Sequence, residues 1–124
     1  MSGCSCSSNT LNLVYACSGA ANTGYLSDQV ARKIMKDSCF KMICLSALGA
    51  KKSSFIANAL AAEQNIVLDG CGVSCGKKIF DFNNLKQYQH FILTDYNVEK
   101  GKTKINHNLI EQITEKILGE IKDE

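Results

Sequence analysis

Short apolar runs alternate along this chain with segments in which apolar residues recur every three or four positions. Short apolar runs are typical of buried strands, and the wider spacing is typical of amphipathic helices. Strands that alternate with helices along one chain favour a mostly parallel sheet with helices packed on it. We therefore predict an α/β protein with a small three-layer, Rossmann-like fold and about four strands.

The individual elements follow from the same pattern. The four predicted strands cover residues 11–17, 41–47, 65–69 and 91–95. Helices are predicted over residues 24–36, over 53–63, from about Cys75, and over the C-terminal segment. The apolar stripe of the last helix consists of Leu109, Ile110, Ile113, Ile117 and Ile121. Asn106 precedes this stripe, and because asparagine is a favoured N-cap, we expect the last helix to begin directly after it.

The domain organisation is simple. A chain of 124 residues, 45% of them apolar, is long enough for one domain with its own core. Residues 11–124 contain every predicted element and are expected to form a single α/β domain. Residues 1–10 are polar and rich in Ser, Gly and Cys, which predicts a flexible tail that carries Cys4 and Cys6.

The charge distribution argues against nucleic acid as a partner. The chain has 14 basic and 12 acidic residues, a net charge of +2, and Arg32 is its only arginine. Proteins that bind nucleic acid usually present a strongly basic face in which arginine contacts phosphates and bases. We therefore expect no nucleic-acid partner.

The N-terminal region does not resemble an export signal. No Lys or Arg precedes Arg32, whereas a secretory signal begins with a basic segment. The apolar run at 11–17 is also far shorter than the roughly 20 residues that span a membrane. We expect a cytoplasmic protein without a membrane partner, in which thiols stay reduced.

The cysteine content is the strongest chemical signal. Seven cysteines occur in the chain, and an odd number combined with an apolar core does not fit a disulfide-stapled secreted miniprotein. In a cytoplasmic protein, a cysteine-rich sequence points to metal binding or catalysis instead.

Three of these cysteines fall at the ends of predicted strands. Cys17 ends the first, Cys44 lies late in the second and Cys71 follows the third. The carboxyl ends of parallel strands lie side by side, about 4.8 Å apart, so three thiols at similar heights can reach one ion. Cys75 can supply a fourth sulfur from the first turn of the next helix. Cys17, Cys44, Cys71 and Cys75 are thus the predicted metal ligands.

The donor type selects the metal. Four thiolates suit tetrahedral zinc, with Zn–S bonds of about 2.3 Å, whereas hard cations prefer oxygen. An iron–sulfur cluster has the same ligand requirement and remains the alternative cofactor. A closed four-thiolate site does not favour hydrolysis, because catalytic zinc usually keeps a position open for water. The expected partner is therefore a metal ion, and no reaction is assigned.

Two catalytic alternatives remain open. Cys17 lies in a loop that precedes a helix, as does the nucleophile of low-molecular-weight phosphatases and phosphocysteine sugar-transport domains. The phosphatase requires arginine six residues after the cysteine, where this chain has Thr23, so only a phosphocysteine-type enzyme survives. A thiol-redox protein is the other alternative, with Cys71/Cys75 or Cys4/Cys6 as the exchange pair.

Other chemically active side chains have simpler interpretations. We expect Cys39 to be an apolar filler, because free cysteine is often buried. His90 is interpreted as a strand-edge residue and His107 as a helix-start residue. Asp69 is expected to brace its own loop by local hydrogen bonds, and Asp95 to act as a cap or an outer-shell acceptor at a strand end.

Several separated motifs resemble those of the DGC domain family, a prokaryotic family to which zinc binding is attributed. These motifs are Ala16-Cys17-Ser18-Gly19, Cys44-Leu45 and Asp69-Gly70-Cys71 with Cys75. They occur in the family's order, and the similarity extends over nearly the whole chain. The resemblance implies a zinc site on Cys17, Cys44, Cys71 and Cys75, and it brings no established reaction. Gly72 stands where many members carry proline after the motif cysteine.

Overall fold

Four parallel strands form the centre of the protein, whose computed structural model describes residues 10–121. The strands are β1 (Asn12–Ala16), β2 (Lys41–Ile43), β3 (Gln64–Asp69) and β4 (Gln89–Ile92). Their order across the sheet is β2-β1-β3-β4, and every neighbouring pair is parallel. Cys4 and Cys6 of the predicted tail lie outside the described residues.

Helices cover both faces of this sheet. They are α1 (Asn22–Asp37), α2 (Leu45–Gly49), α3 (Ser53–Ala61), α4 (Cys75–Phe82) and α5 (His107–Glu120). Residues of α1 and α5 form one apolar core against the sheet, and residues of α2, α3 and α4 contribute to a second core on the opposite face. The arrangement confirms the predicted three-layer, Rossmann-like α/β fold.

Burial on both faces explains the continuous apolar runs in the strands. Along β1, Leu13 and Tyr15 join the core with α2, α3 and α4, while Val14 and Ala16 join the core with α1 and α5. Successive side chains of a strand point to opposite faces, so each residue of β1 after Asn12 needs an apolar or hydrogen-bonded side chain. Tyr15 meets this need by donating its hydroxyl to Asn65 Oδ1 at 3.1 Å.

The predicted second strand is too long. β2 ends at Ile43, and Cys44 is the residue that precedes the short helix α2 rather than a residue inside the strand. Leu45 and Leu48, spaced for one face of a helix, are both buried in the core on the α4 side. An apolar run that fits a strand or a helix equally well is ambiguous from sequence.

The predicted fourth strand is displaced. β4 covers Gln89–Ile92, and residues Leu93–Tyr96 form a 3₁₀ helix that begins with the buried Leu93. Asp95 therefore lies in a helical turn, not at a strand end as predicted. The strand begins with polar residues because β4 is the edge of the sheet and pairs only with β3 among the described strands.

The connections make the β1–β3 junction the switch point of the sheet. From β1 the chain moves outward to β2, whereas β3 and β4 lie on the other side of β1. Crevices at such a reversal, beyond the carboxyl ends of the strands, are the usual binding sites of open α/β sheets. Gly70 allows the close approach there, because a Cβ on it would lie 2.6 Å from the carbonyl oxygen of Thr23. No helix within residues 10–121 combines the length and apolar character that crossing a bilayer requires.

The N-cap of α5 offers a direct test of the fold. Asn106 Oδ1 accepts a hydrogen bond from the Leu109 N–H at 2.9 Å, as the sequence predicted. We expect Asn106→Ala to lower the free energy of unfolding by about 1 kcal/mol, because the N–H loses its partner. Urea denaturation measures the change. Asn108→Ala, an exposed asparagine inside the same helix, should be neutral or stabilising, and equal losses in both variants would contradict the capping role.

Candidate functional site

The four predicted ligands all lie beyond the carboxyl ends of the strands. Cys17 directly follows β1, Cys44 directly follows β2, Cys71 is two residues beyond β3, and Cys75 is the first residue of α4. All four are free thiols. Cys44 and Cys75 are exposed, whereas Cys17 and Cys71 are partly buried.

A single cleft brings three of these thiols together. Cys17, Cys44 and Cys75 line an open cleft of about 330 Å³ between the ends of β1 and β2 and the start of α4. Its wall also contains apolar side chains, including Met42 and Ile79. Residues 17, 44 and 75 are distant in sequence, so the fold alone makes them neighbours.

Cys17 is the thiol at the centre of this group. Burial, as the largest cause, together with the neighbouring Cys75, Asp69 and Cys71 raises its pKa from 9.0 to about 11. The backbone around it is fixed: the Cys17 N–H donates to the Leu68 carbonyl at 2.9 Å, and the Ser27 hydroxyl donates to the Cys17 carbonyl. Cys17 is thus a thiol that stays protonated at neutral pH, and it shares its cleft with the Cys75 thiol.

Cys71 has a cationic neighbour. Lys100 Nζ lies 3.6 Å from Cys71 Sγ. The loop that carries Lys100 is attached to the start of α1 by Asn22, whose amide donates to the carbonyls of Glu99 and Thr103 and accepts from the Gly101 N–H. An ammonium group at this distance can offset negative charge beside the sulfur.

A buried carboxylate adjoins the thiols. Asp69, 1% exposed, accepts hydrogen bonds from the N–H groups of Gly76 at 2.7 Å and Lys77 at 3.1 Å. These bonds confirm that Asp69 braces its own loop. Asp69 Oδ2 also lies 2.6 Å from Nε2 of His90. The sequence does not reveal this partner, because nothing in the spacing of residues 69 and 90 indicates that β3 and β4 place them together.

The thiols do not form a finished metal centre in this arrangement. Within residues 10–121, no three His, Cys, Asp or Glu side chains are grouped as a metal ion requires. The donor chemistry nevertheless fits zinc, because the side chains at issue are thiols. The remaining candidates lie elsewhere. Cys39, before β2 at the amino edge of the sheet, is half-buried and disulfide-bonded, so the prediction of a free, buried apolar filler is wrong. His107 is the exposed first residue of α5, as predicted.

The raised pKa of Cys17 predicts slow alkylation. At pH 8, a pKa of about 11 instead of 9.0 lowers the thiolate fraction about 100-fold, partly offset by the greater nucleophilicity of a more basic thiolate. We expect iodoacetamide to modify Cys17 in the folded, metal-free protein at least about tenfold more slowly than in urea. Peptide mass spectrometry gives the rate at each cysteine. An unchanged rate for Cys17 on unfolding would show that its environment does not suppress the thiolate.

Comparison with known proteins places the chain in a family. The model of the DGC domain matches residues 13–117. A relative from Pseudomonas aeruginosa, named anaerobic and virulence modulator AnvM, is 27% identical over 90 residues, which are 73% of this chain and 69% of the relative. No solved structure matches the sequence significantly. The family match covers all of the sheet except Asn12 and includes all four candidate cysteines. The chain belongs to the DGC domain family.

Proposed function

We propose that this protein binds zinc through Cys17, Cys44, Cys71 and Cys75. The observation that supports the proposal most is the cleft in which three free thiols from three separate elements meet. Cys71 is near enough to affect the pKa of Cys17. Free thiols from distant segments in one cleft are poorly explained by core packing, since Cys44 and Cys75 are exposed.

Small side-chain movements would complete the site. Each cysteine sulfur moves on one rotatable bond, χ1, and Cys17, Cys44 and Cys75 already line the same cleft. Zinc binds thiolates, so its binding must release the protons that the thiols carry. The high pKa of Cys17 makes this release costly near neutral pH, and affinity should therefore increase as the pH rises.

The charged side chains near the cysteines would compensate only part of the negative charge of a zinc–thiolate centre. Four thiolates around a divalent ion carry two excess negative charges. Lys100, beside Cys71, offsets some of this charge, whereas Asp69 adds to it. A four-thiolate centre has no position for a reactive water, so the proposed role is structural, storage or delivery of the metal rather than hydrolysis.

Cobalt(II) substitution tests the ligand set. The reduced, full-length protein should bind one equivalent of Co²⁺ with the intense near-ultraviolet absorption of thiolate ligation, and Zn²⁺ should displace it. Serine variants of the four cysteines should each lose about a quarter of the charge-transfer intensity, because each removes one of four thiolates. Ser53→Ala, at the exposed start of α3, is the control and should retain it.

Two results would oppose the zinc proposal. If the reduced wild-type protein takes up neither Co²⁺ nor Zn²⁺, the zinc proposal is wrong. If one serine variant keeps the full charge-transfer intensity, the cysteine replaced in it is not a ligand. A brown protein with visible absorption after anaerobic purification would instead support the iron–sulfur alternative.

A thiol-redox function is a second candidate, favoured by the cleft that the free thiols of Cys17 and Cys75 share. Two thiols in contact can form a disulfide, giving two protons and two electrons to an oxidant such as diamide. Spacing in the sequence suggested Cys71 as the partner of Cys75, whereas the shared cleft favours Cys17. The name of the P. aeruginosa relative refers to anaerobic conditions, which fits a site whose thiols respond to oxidation.

Diamide treatment of the metal-free protein tests this second function. Among the four candidate cysteines, we expect a Cys17–Cys75 disulfide to form first, because both thiols line one cleft, and we expect bound Zn²⁺ to suppress it by occupying both sulfurs. Peptide mapping identifies the bond, and Cys44→Ser, which leaves the pair intact, is the matched control. A first disulfide that excludes Cys17 would contradict the proposed pair.

A further inference from the structure

Asp69 joins three elements around the thiols without being a predicted ligand. It ends β3, accepts from two N–H groups at the start of α4, and contacts His90 of β4. Its side chain is 1% exposed and that of His90 is 16% exposed. A buried carboxylate is retained only where its charge is compensated by hydrogen bonds, and these contacts provide that compensation.

The geometry points to Asp69, held by His90, as a positioning residue that fixes the first turn of α4 so that Cys75 faces Cys17. The inference rests on the proposed thiol site and names what orients one of its sulfurs. Gly76 and Lys77, whose N–H groups Asp69 accepts, directly follow Cys75 in the chain. The backbone that carries the Cys75 sulfur is therefore attached to the end of β3.

Helix α4 has no side-chain cap of its own that could fix the position of its first turn. Ser74, the N-cap residue of α4, makes no side-chain capping hydrogen bond, and its φ of 58° lies in the left-handed region. Non-glycine residues rarely adopt that conformation. The first free N–H groups of α4 thus depend on Asp69, which lies outside the helix and caps it from the neighbouring strand.

Close packing at Gly76 restricts the helix further. A Cβ at Gly76 would lie 2.8 Å from Val67 Cγ1 and 2.9 Å from Asp69 Oδ1. The start of α4 therefore lies directly against the side chains of β3, and a residue with a side chain there would push it away. Both the hydrogen bonds and the contact distance set the position of Cys75.

His90 determines how the carboxylate is turned. Asp69 Oδ1 accepts from Gly76, while Oδ2 accepts from Lys77 and lies 2.6 Å from His90 Nε2. His90 pairs with Val67 in the β3–β4 register, which places its ring beside the end of β3. Activation of the thiols does not explain this arrangement, since the Asp69 charge disfavours the thiolate of Cys17. A role in orienting the first turn of α4 explains the arrangement.

Asp69→Asn tests the inference with almost unchanged shape. Its amide nitrogen cannot accept, so one bond to α4 is lost. We expect its cobalt spectrum to match that of Cys75→Ser, with about three of four thiolate contributions, and its Co²⁺ dissociation constant to rise about 10- to 100-fold, as for other outer-shell changes. The double variant Asp69→Asn/Cys75→Ser should have the same cobalt charge-transfer intensity as Cys75→Ser alone. Asp81→Asn, on the exposed side of the same helix, should behave as wild type.

Variants of His90 separate orientation from general loss of structure. His90→Gln keeps a side-chain N–H donor and should restore most of the cobalt intensity, whereas His90→Leu should resemble Asp69→Asn. Circular dichroism and urea unfolding identify any variant that does not fold. A four-thiolate cobalt spectrum and unchanged affinity in folded Asp69→Asn would overturn the positioning role while leaving zinc binding intact.

A metal-free measurement keeps the two proposals distinguishable. If wild-type protein takes up no Co²⁺, the zinc proposal fails, and the rate of Cys17–Cys75 disulfide formation then decides the role of Asp69. We expect that rate to fall at least about tenfold in Asp69→Asn, because the second sulfur is no longer held in place. An unchanged rate, measured in folded protein, would overturn the inference on its own.

Discussion

The parallel pairing of β1 with β3 is the constraint on which the candidate site depends. The register sets Ala16 opposite Leu68, and the Cys17 N–H continues the ladder to the Leu68 carbonyl. The residues at the carboxyl ends of both strands, Cys17 on one side and Asp69 to Cys71 on the other, are therefore neighbours. A slip of one residue would reverse every side chain of the buried strand, so the two-sided apolar core holds this register firmly.

That register places groups with opposed electrostatic effects around one set of sulfurs. Burial and the Asp69 charge favour the neutral thiol of Cys17, whereas Lys100 stands beside Cys71. A thiol pKa raised in the folded state leaves stability at neutral pH intact and lowers it only as the pH rises from about 9 towards 11. The thiol group is accordingly compatible with a stable fold without a metal ion.

The sequence was sufficient for the architecture and for the edge of the sheet where the cysteines meet. Strands buried on both faces leave continuous apolar runs, as in β1 and β3, and the cysteines after them could be placed from those runs. Cys44 was misplaced within a strand, because Leu45 and Leu48 fit either structure. The contact between Asp69 and His90 was not predictable, since it depends on which strands pair and in which register. The proposal of Cys17 as the partner of Cys75 also depends on the strand pairing and was therefore not predictable from the sequence.

The two candidate functions draw on the same atoms and therefore constrain each other. A sulfur that ligates zinc has given up its proton and is held by the metal, so it cannot at the same time bond to a second sulfur. Oxidation of Cys17 and Cys75 to a disulfide removes two of four proposed ligands, which should release the ion. Since Asp69 attaches the Cys75 backbone to the β3 end, the geometry that favours ligation also favours the disulfide. Metal occupancy and thiol oxidation would then be mutually exclusive states of one site.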